Sequence, residues 1–81
     1  MNREELRSVL KAKGIKERFY SLDGPATHSE SFSIVPDGGL LKVVYKERVD
    51  FEDVQAGLSE EEACELVYQL LKKEFNWHDE G

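Results

Sequence analysis

Apolar residues near the start of the chain recur at the three- and four-residue spacing of an amphipathic helix. Leu6 and Leu10 belong to this stripe, which predicts a helix over residues 3–13. Asn2 precedes the stripe and has a glutamate three residues after it, the arrangement of a capping box. Gly14 is expected to adopt a left-handed conformation and to end the helix in a Schellman motif, with the next residue packed against Leu10.

A second helical pattern covers residues 60–75. Its broad apolar face includes Val67, Leu70 and Leu71, and Ser59 forms another capping box with the glutamate three residues later. Glutamates fill the first turn and lysines lie near the last, so the charges complement the helix dipole at both ends.

Between the two helices, apolar and polar residues alternate with the period of β-strands. The alternation predicts strands over residues 16–22, 30–36 and 40–48. The Pro-Asp-Gly sequence at 36–38 predicts a hairpin with a three-residue loop, because proline and glycine suit the first and third loop positions. Residues 49–58 alternate only weakly and are expected to form a loop, with a short fourth strand as the alternative.

This order of elements predicts an α+β domain: an antiparallel three- to four-stranded sheet with two helices packed on one face (α-β-β-β-α). The covered face is expected to carry Phe32, Ile34, Leu41, Val43 and Tyr45. The opposite face would then be open, and Phe19 or Val44 could seed a dimer there.

The 81 residues are enough for one domain, which we place at residues 1–76. Residues 77–81 lack periodicity and are expected to form a flexible tail. Trp77, the single tryptophan, has two interpretations: a residue at the edge of the core or a residue of an interface.

The composition is typical of a globular protein, with 40% hydrophobic and 35% charged residues. No apolar run approaches the ~18 residues of a membrane helix, and the first residues lack the apolar segment of a signal peptide. Cys64 is the only cysteine, which excludes an internal disulfide. We therefore expect a reducing, cytoplasmic location and no membrane partner.

The net charge of −6 is unevenly distributed along the chain. Residues 1–22 carry six basic and three acidic residues, whereas residues 47–65 carry eight carboxylates and one arginine. Such a negative field repels nucleic acid and anionic membranes and speeds encounter with a basic partner. The alternative interpretation is that the charge serves solubility alone.

No combination of residues predicts catalysis or a cofactor. His28 and His78 are far apart in sequence, and no further ligands stand at the spacing that zinc requires. Glutamates around Cys64 disfavour its thiolate, so a packing role is favoured. There is no nucleophile elbow and no glycine-rich phosphate loop. We therefore expect a protein that is not an enzyme and that binds no metal or other cofactor.

The order helix, three strands, helix also resembles that of double-stranded RNA-binding domains. Those domains place basic residues at the start of the second helix, where they grip phosphates. This chain has Glu60, Glu61 and Glu62 at that position. We therefore expect no nucleic-acid partner, although the same charge would suit mimicry of an acidic substrate.

One stretch within residues 38–68 has a more specific pattern. It resembles Trp-x-Val-x-Tyr-x-Glu-Arg-Gly, a loop and then Ser-Glu-x-Glu-Ala-Cys, as in a family of small bacterial immunity proteins found with polymorphic and contact-dependent growth-inhibition toxins. The matching residues are Val43, Tyr45, Glu47, Arg48, Ser59, Glu60, Glu62, Ala63 and Cys64. Leu41 stands in place of the tryptophan, and Val49 in place of the glycine.

The resemblance implies a protein that binds and blocks a cognate toxin made by the same cell. Many such toxins are basic nucleases, and an acidic surface could occupy the cleft meant for phosphates. Our leading hypothesis places the partner-binding residues between the third strand and the start of the last helix: Glu47, Asp50, Glu52, Asp53, Glu60 and Glu61. For Glu47 and Arg48, a structural role in fixing the loop before the last helix is the favoured alternative.

The rival hypothesis is a structural or regulatory module, also without catalytic activity, that self-associates through its open sheet face or its edge strand. The immunity hypothesis expects a monomer or a weak homodimer.

Overall fold

Two α-helices form where the apolar stripes predict them. Helix α1 spans Arg3–Ala12 and helix α2 spans Glu60–Phe75 in a computed structural model that describes residues 1–77. Both predicted capping boxes are confirmed, since the side chains of Asn2 and Ser59 accept hydrogen bonds from the backbone N–H three residues later. Each cap satisfies a donor that has no partner inside the helix, and this fixes where the helix begins.

The predicted Schellman ending of α1 is also confirmed. Gly14 has a φ of +78°, and the N–H of Ile15 donates to the carbonyl of Leu10 over 2.9 Å. Both of these apolar side chains are buried in the core. Helix α2 ends in a comparable way, because Asn76 adopts the left-handed conformation.

Within the described residues, the sheet has four strands in the order β1-β2-β3-β4. They are β1 (Tyr20–Ser21), β2 (Ser31–Asp37), β3 (Leu40–Glu47) and β4 (Asp50–Leu58). The pairs β2–β3 and β3–β4 are antiparallel, but β1 runs parallel to β2. The α+β class is therefore confirmed, whereas the prediction of a purely antiparallel sheet is wrong: the sheet is mixed.

Strand β1 is much shorter than the strand predicted over residues 16–22. Glu17–Phe19 forms a turn of 3₁₀ helix, so only two residues pair with β2. The nine residues 22–30 then return the chain to begin β2 in the same direction. A parallel pair normally needs a longer crossover, because the connection must run back along the whole first strand. Here that strand has only two residues, so nine residues are enough.

The β2–β3 hairpin turns at Gly38 and Gly39. Asp37 pairs with Leu40, which leaves a two-residue loop, so the prediction of a three-residue loop is wrong. The two glycines have φ values of +57° and +89°. Positive φ at both positions matches the twist of a hairpin, and glycine adopts it without steric cost. Pro36 lies inside β2, beyond the two residues with which β1 pairs.

Residues 49–58, expected to form a loop or a short strand, contain the longest strand of the sheet, with nine residues. The register between β4 and β3 shifts twice, between the partners of Leu41 and Val43 and between those of Val43 and Val44. The first shift includes Gly57, whose φ is +69°. Such β-bulges redirect side chains, so they remove the regular alternation by which a strand is recognised in a sequence.

Helix α2 packs against one face of the sheet, and α1 packs against α2. One buried cluster joins them to that face, and its fully buried members include Leu6, Leu10, Ile34, Val43, Val67 and Leu71. Helix α2 contacts β2 and β3 more extensively than β4. Strand β4 is consequently exposed along its length, and Leu58 is its one buried residue.

The opposite face of the sheet is partly covered by the loop formed by residues 22–30. The hydroxyl of Ser31 donates to the carbonyl of His28 in this loop over 2.6 Å. Ser31, Ser33 and Val44 are buried on this face. The prediction that the face is open is therefore wrong at Val44, which is only 4% exposed.

Two aromatic residues lie at the margin of the core. Phe19 packs edge-on against Phe75 with ring centroids 4.9 Å apart. Trp77 packs against Tyr68 with centroids 5.7 Å apart and is partly buried, which agrees with a position at the edge of the core. Residues 78–81, which include the second histidine and most of the predicted tail, lie outside the described residues.

Candidate protein-binding surface

Four of the six carboxylates predicted to bind a partner lie on the hairpin formed by β3 and β4. We call residues 47–54 the acidic hairpin, and its carboxylates are those of Glu47, Asp50, Glu52 and Asp53. All four residues are exposed. The first two flank the two-residue turn at residues 48–49, so the tip of the hairpin is negatively charged.

Exposed apolar side chains accompany these carboxylates. Val49 is 85% exposed at the turn, and Phe51 and Val54 follow at 51% and 40%. Sequence reasoning missed these residues as surface groups, because valine and phenylalanine in a weakly alternating segment suggest a core. Their interleaving with carboxylates was the available signal. Apolar side chains bordered by charge are typical of protein-binding surfaces.

The acidic hairpin presents carboxylates on both faces of the sheet. Cross-strand pairing places Glu52 beside Tyr45, on the face that bears the helices. Asp53 lies on the other face, where its carboxylate is 3.4 Å from the amine of Lys42. The charge of the hairpin is therefore partly neutralised on the loop-covered face.

The other two predicted residues, Glu60 and Glu61, lie at the start of α2 and contact the first residues of the chain. The carboxylate of Glu60 accepts hydrogen bonds from the backbone N–H and the Nε of Arg3, at 3.0 and 3.2 Å. These bonds, chiefly the one from the backbone, hold the pKa of the Glu60 carboxyl below its ordinary value. The carboxylate of Glu61 lies 3.7 Å from the amino group of Met1. The Glu60 carboxylate is therefore engaged within the fold, whereas the Glu61 side chain stays 83% exposed.

The structure thus places the predicted residues in two separate groups. Asp50 begins β4 and Glu60 follows its end, and a nine-residue strand separates such positions by roughly 25 Å. Within residues 1–77, the acidic hairpin combines four exposed carboxylates with three exposed apolar side chains in one segment.

Arg48 shapes the turn of the hairpin through its backbone. Its φ of +56° is in the left-handed region that most residues avoid, and its carbonyl accepts a hydrogen bond from the hydroxyl of Ser29 at 3.4 Å. The positive φ falls on Arg48 and not on Val49, so a valine is tolerated at the second position of the turn. No ion pair within residues 1–77 involves Glu47 or Arg48.

The residues weighed for other chemistry have ordinary surroundings. Cys64 is fully buried, and burial together with the nearby Glu60 raises the pKa of its thiol to about 11. His28 is exposed in the loop beside Thr27. Among residues 1–77, no three His, Cys, Asp or Glu side chains are placed to hold a metal ion. In the same part of the chain, no helix is long and apolar enough to cross a membrane.

No protein-family model, curated protein or solved structure matches this chain. Its function is therefore inferred from its own residues and their geometry.

Proposed function

We propose that this protein is an immunity protein that binds and neutralises a cognate bacterial toxin through the acidic hairpin. One observation supports the proposal above all: exposed carboxylates and exposed apolar side chains occur together on this hairpin. Carboxylates steer a basic partner and fix its orientation, while side chains such as Phe51 supply contact area that becomes desolvated. The sequence resemblance to immunity proteins favours the same class of partner.

A basic nuclease is the kind of toxin that this charge favours. The cleft of a nuclease attracts phosphates and is therefore positively charged. A two-stranded hairpin with an exposed turn is narrow enough to enter a cleft, where Asp50 and Glu52 would occupy the positions of phosphates. The protein would act in the cytoplasm without catalysis or a cofactor, as a monomer or a weak homodimer.

The proposal is tested by protection of growth. The partner to be tested is a short toxic C-terminal domain of a large secreted protein, sought in the adjacent reading frames and expressed in bacteria with or without this protein. We expect the wild type to restore growth and the variant Asp50→Lys/Glu52→Lys/Asp53→Lys to fail. With purified proteins, the same variant should associate at least about tenfold more slowly at low salt, because steering is lost.

A matched variant controls for the change in net charge. Glu4→Lys/Glu17→Lys/Glu65→Lys reverses three exposed carboxylates outside the hairpin and should still protect. Both variants must melt cooperatively by circular dichroism. Full protection by the hairpin variant would remove the acidic hairpin from the mechanism. Toxicity that the wild type does not relieve would sink the immunity function itself.

A second candidate function, self-association, is favoured by the position of β4. This strand is an edge of the sheet, and Phe51 and Val54 are exposed on it. Edge strands can pair with a second copy, although the carboxylates and bulges of β4 oppose such pairing. Light scattering separates the two functions: a tight homodimer supports self-association, and a monomer supports the toxin inhibitor.

A further inference from the structure

A groove floored by aromatic rings lies on the helix-bearing side, between the end of α2 and the acidic hairpin. We call it the aromatic groove, and its floor consists of Phe19, Phe32, Tyr45 and Phe75. It comprises two depressions of about 130 and 410 Å³. Both are lined by Phe32, Tyr45 and Glu74, so they are continuous. The rings of Phe32 and Tyr45 pack with centroids 4.9 Å apart and present an extended π surface.

Carboxylates border this aromatic floor. Glu30 and Glu74 line the inner depression, and Glu52, Asp53 and Glu74 line the outer one. The phenol of Tyr45 has a raised pKa, owing first to burial and then to Glu30, Glu74 and Glu47, so these carboxylates lie close enough to act on it.

The negative charge of the groove has no counterion among the residues that line it. Within residues 1–77, neither depression is lined by a lysine or an arginine. Arg18 lies with its Cζ 5.7 Å from the centre of the Phe19 ring, but it is not part of the lining. Lys42 pairs with Asp53, but no ion pair within residues 1–77 involves the three glutamates that border the rings. The rings and these glutamates therefore form a surface that is complementary to a flat cation.

We infer that the aromatic groove binds an arginine side chain of a protein partner. A guanidinium is planar, so it stacks on a ring while its N–H groups donate to a carboxylate such as that of Glu74. A lysine ammonium has no plane to stack and is more strongly hydrated, so it fits this surface less well. Anionic groups are repelled by the three bordering glutamates.

The inference deepens the proposed function and rests on it for the identity of the partner, a basic toxin. It adds a contact beside the acidic hairpin, and Glu52 belongs to both surfaces. A toxin whose basic surface covers the hairpin would place an arginine over the groove. The aromatic floor then provides the desolvated anchor that exposed carboxylates alone lack.

Binding is tested without any toxin, by following the amide resonances of the full chain during titration with N-acetylarginine methylamide. We expect the shifts to concentrate at Phe32, Tyr45 and Glu74. The neutral analogue N-acetylcitrulline methylamide should give no such shifts at the same concentration. Equal shifts with citrulline, or arginine-induced shifts concentrated at the start of α2, would overturn the inference.

Two substitutions locate the site. Tyr45→Leu and Glu74→Gln should each weaken binding of the arginine probe by about twofold to fivefold, the range expected for one cation–π contact or one exposed ion pair. Glu65→Gln is the matched control, because Glu65 is an exposed glutamate of the same helix outside the groove. If Tyr45→Leu fails to fold, Glu74→Gln still decides: an unchanged affinity, or an equal loss in Glu65→Gln, contradicts the assignment.

The probe titration and the growth assay fail independently. A protein that protects cells but does not bind the arginine probe would overturn the groove alone. A protein that binds the probe at the groove but gives no protection would overturn the immunity function and leave the arginine site in place.

Discussion

The start of α2 and the acidic hairpin both carry closely spaced carboxylates, but the fold uses them differently. At the helix start, Glu60 accepts two hydrogen bonds from Arg3, and Glu62 completes a capping box. On the hairpin, the carboxylates of Asp50 and Glu52 form no ion pair or hydrogen bond within residues 1–77. The density of negative charge in a sequence therefore does not identify a binding surface by itself.

The difference follows from the backbone around each group. The first turn of a helix presents N–H groups without partners and the positive end of the dipole, so carboxylates are held there. In a β-hairpin the backbone N–H groups lie in the plane of the sheet, whereas the side chains project from its faces, so a carboxylate finds few local donors. The carboxylates of a hairpin consequently stay available to a partner.

Thiol labelling should show the largest contrast between the two regions. In the variant Val49→Cys, the new thiol lies at the exposed turn, whereas Cys64 is buried beneath the start of α2. The Cys64 thiol has a pKa of about 11, so we expect it to react with iodoacetamide at least about a hundredfold more slowly than the new thiol. Mass spectrometry would then show one fast and one slow modification.

In denaturant, both thiols should react at the same rate, which serves as the control. Similar rates in the folded protein would mean that the start of α2 opens as readily as the hairpin, and the contrast would disappear.

Removing the N-cap side chain of α2 should lower the free energy of unfolding more than removing a carboxylate of the acidic hairpin. Ser59→Ala deletes the side chain that accepts from the N–H of Glu62, and it should lower the free energy of unfolding by about 1 kcal/mol. Asp50→Ala on the hairpin should change it by less than about 0.5 kcal/mol. Urea denaturation measures both values. Equal losses would show that the hairpin carboxylate is as structural as the cap.

A smaller difference between the two regions is expected in how much each contributes to the loss of stability at acidic pH. Backbone hydrogen bonds from Arg3 and Ser59 hold the pKa values of Glu60 and Glu62 below their ordinary range. A carboxyl with a lowered pKa stabilises the fold above the ordinary glutamate pKa, and this contribution is lost as the pH falls through the lowered value. The wild type should therefore lose stability as the pH falls below about 4.3.

The variant Glu60→Gln/Glu62→Gln should lose less stability over the same range, because amides do not titrate. Urea midpoints between about pH 7 and pH 3 measure the difference. Glu52→Gln, which alters a carboxylate with no ion pair within residues 1–77, should follow the wild type. A double variant that also follows the wild type would contradict the structural role of the helix-start glutamates.

The sequence predicts the helices well because their signals are local. A capping box and an apolar stripe lie within a few residues of each other, and α2 begins and ends where they indicate, at Glu60–Phe75. The α1 ending needed only Gly14 and its neighbours. Strands β2 and β3 lie within one residue of their predicted bounds.

The first and last strands could not be predicted in the same way. The parallel pairing of β1 depends on how a loop returns the chain, which no alternation records. Strand β4 contains two bulges and is exposed nearly throughout, so it lacks both the period and the buried face that reveal a strand.

The candidate surfaces show the same limit. The carboxylates of the acidic hairpin are adjacent in sequence, so their grouping was predictable. The hydrogen bonds of Glu60 could not be predicted, because its partner Arg3 lies 57 residues away in the sequence. The aromatic groove collects Phe19, Tyr45 and Glu74 from three distant parts of the chain, and only the fold brings them together.

The loop over residues 22–30 has a consequence for where this molecule can open locally. Its two parts differ: Leu22 belongs to the core and Ala26 is buried, whereas residues 27–30 are exposed. If residues 27–30 lift, water can replace the contacts made by the carbonyls of Thr27 and His28, and no apolar side chain of that stretch becomes exposed. We therefore expect local opening to be confined to residues 27–30, while Leu22 and Ala26 keep the first part of the loop in place.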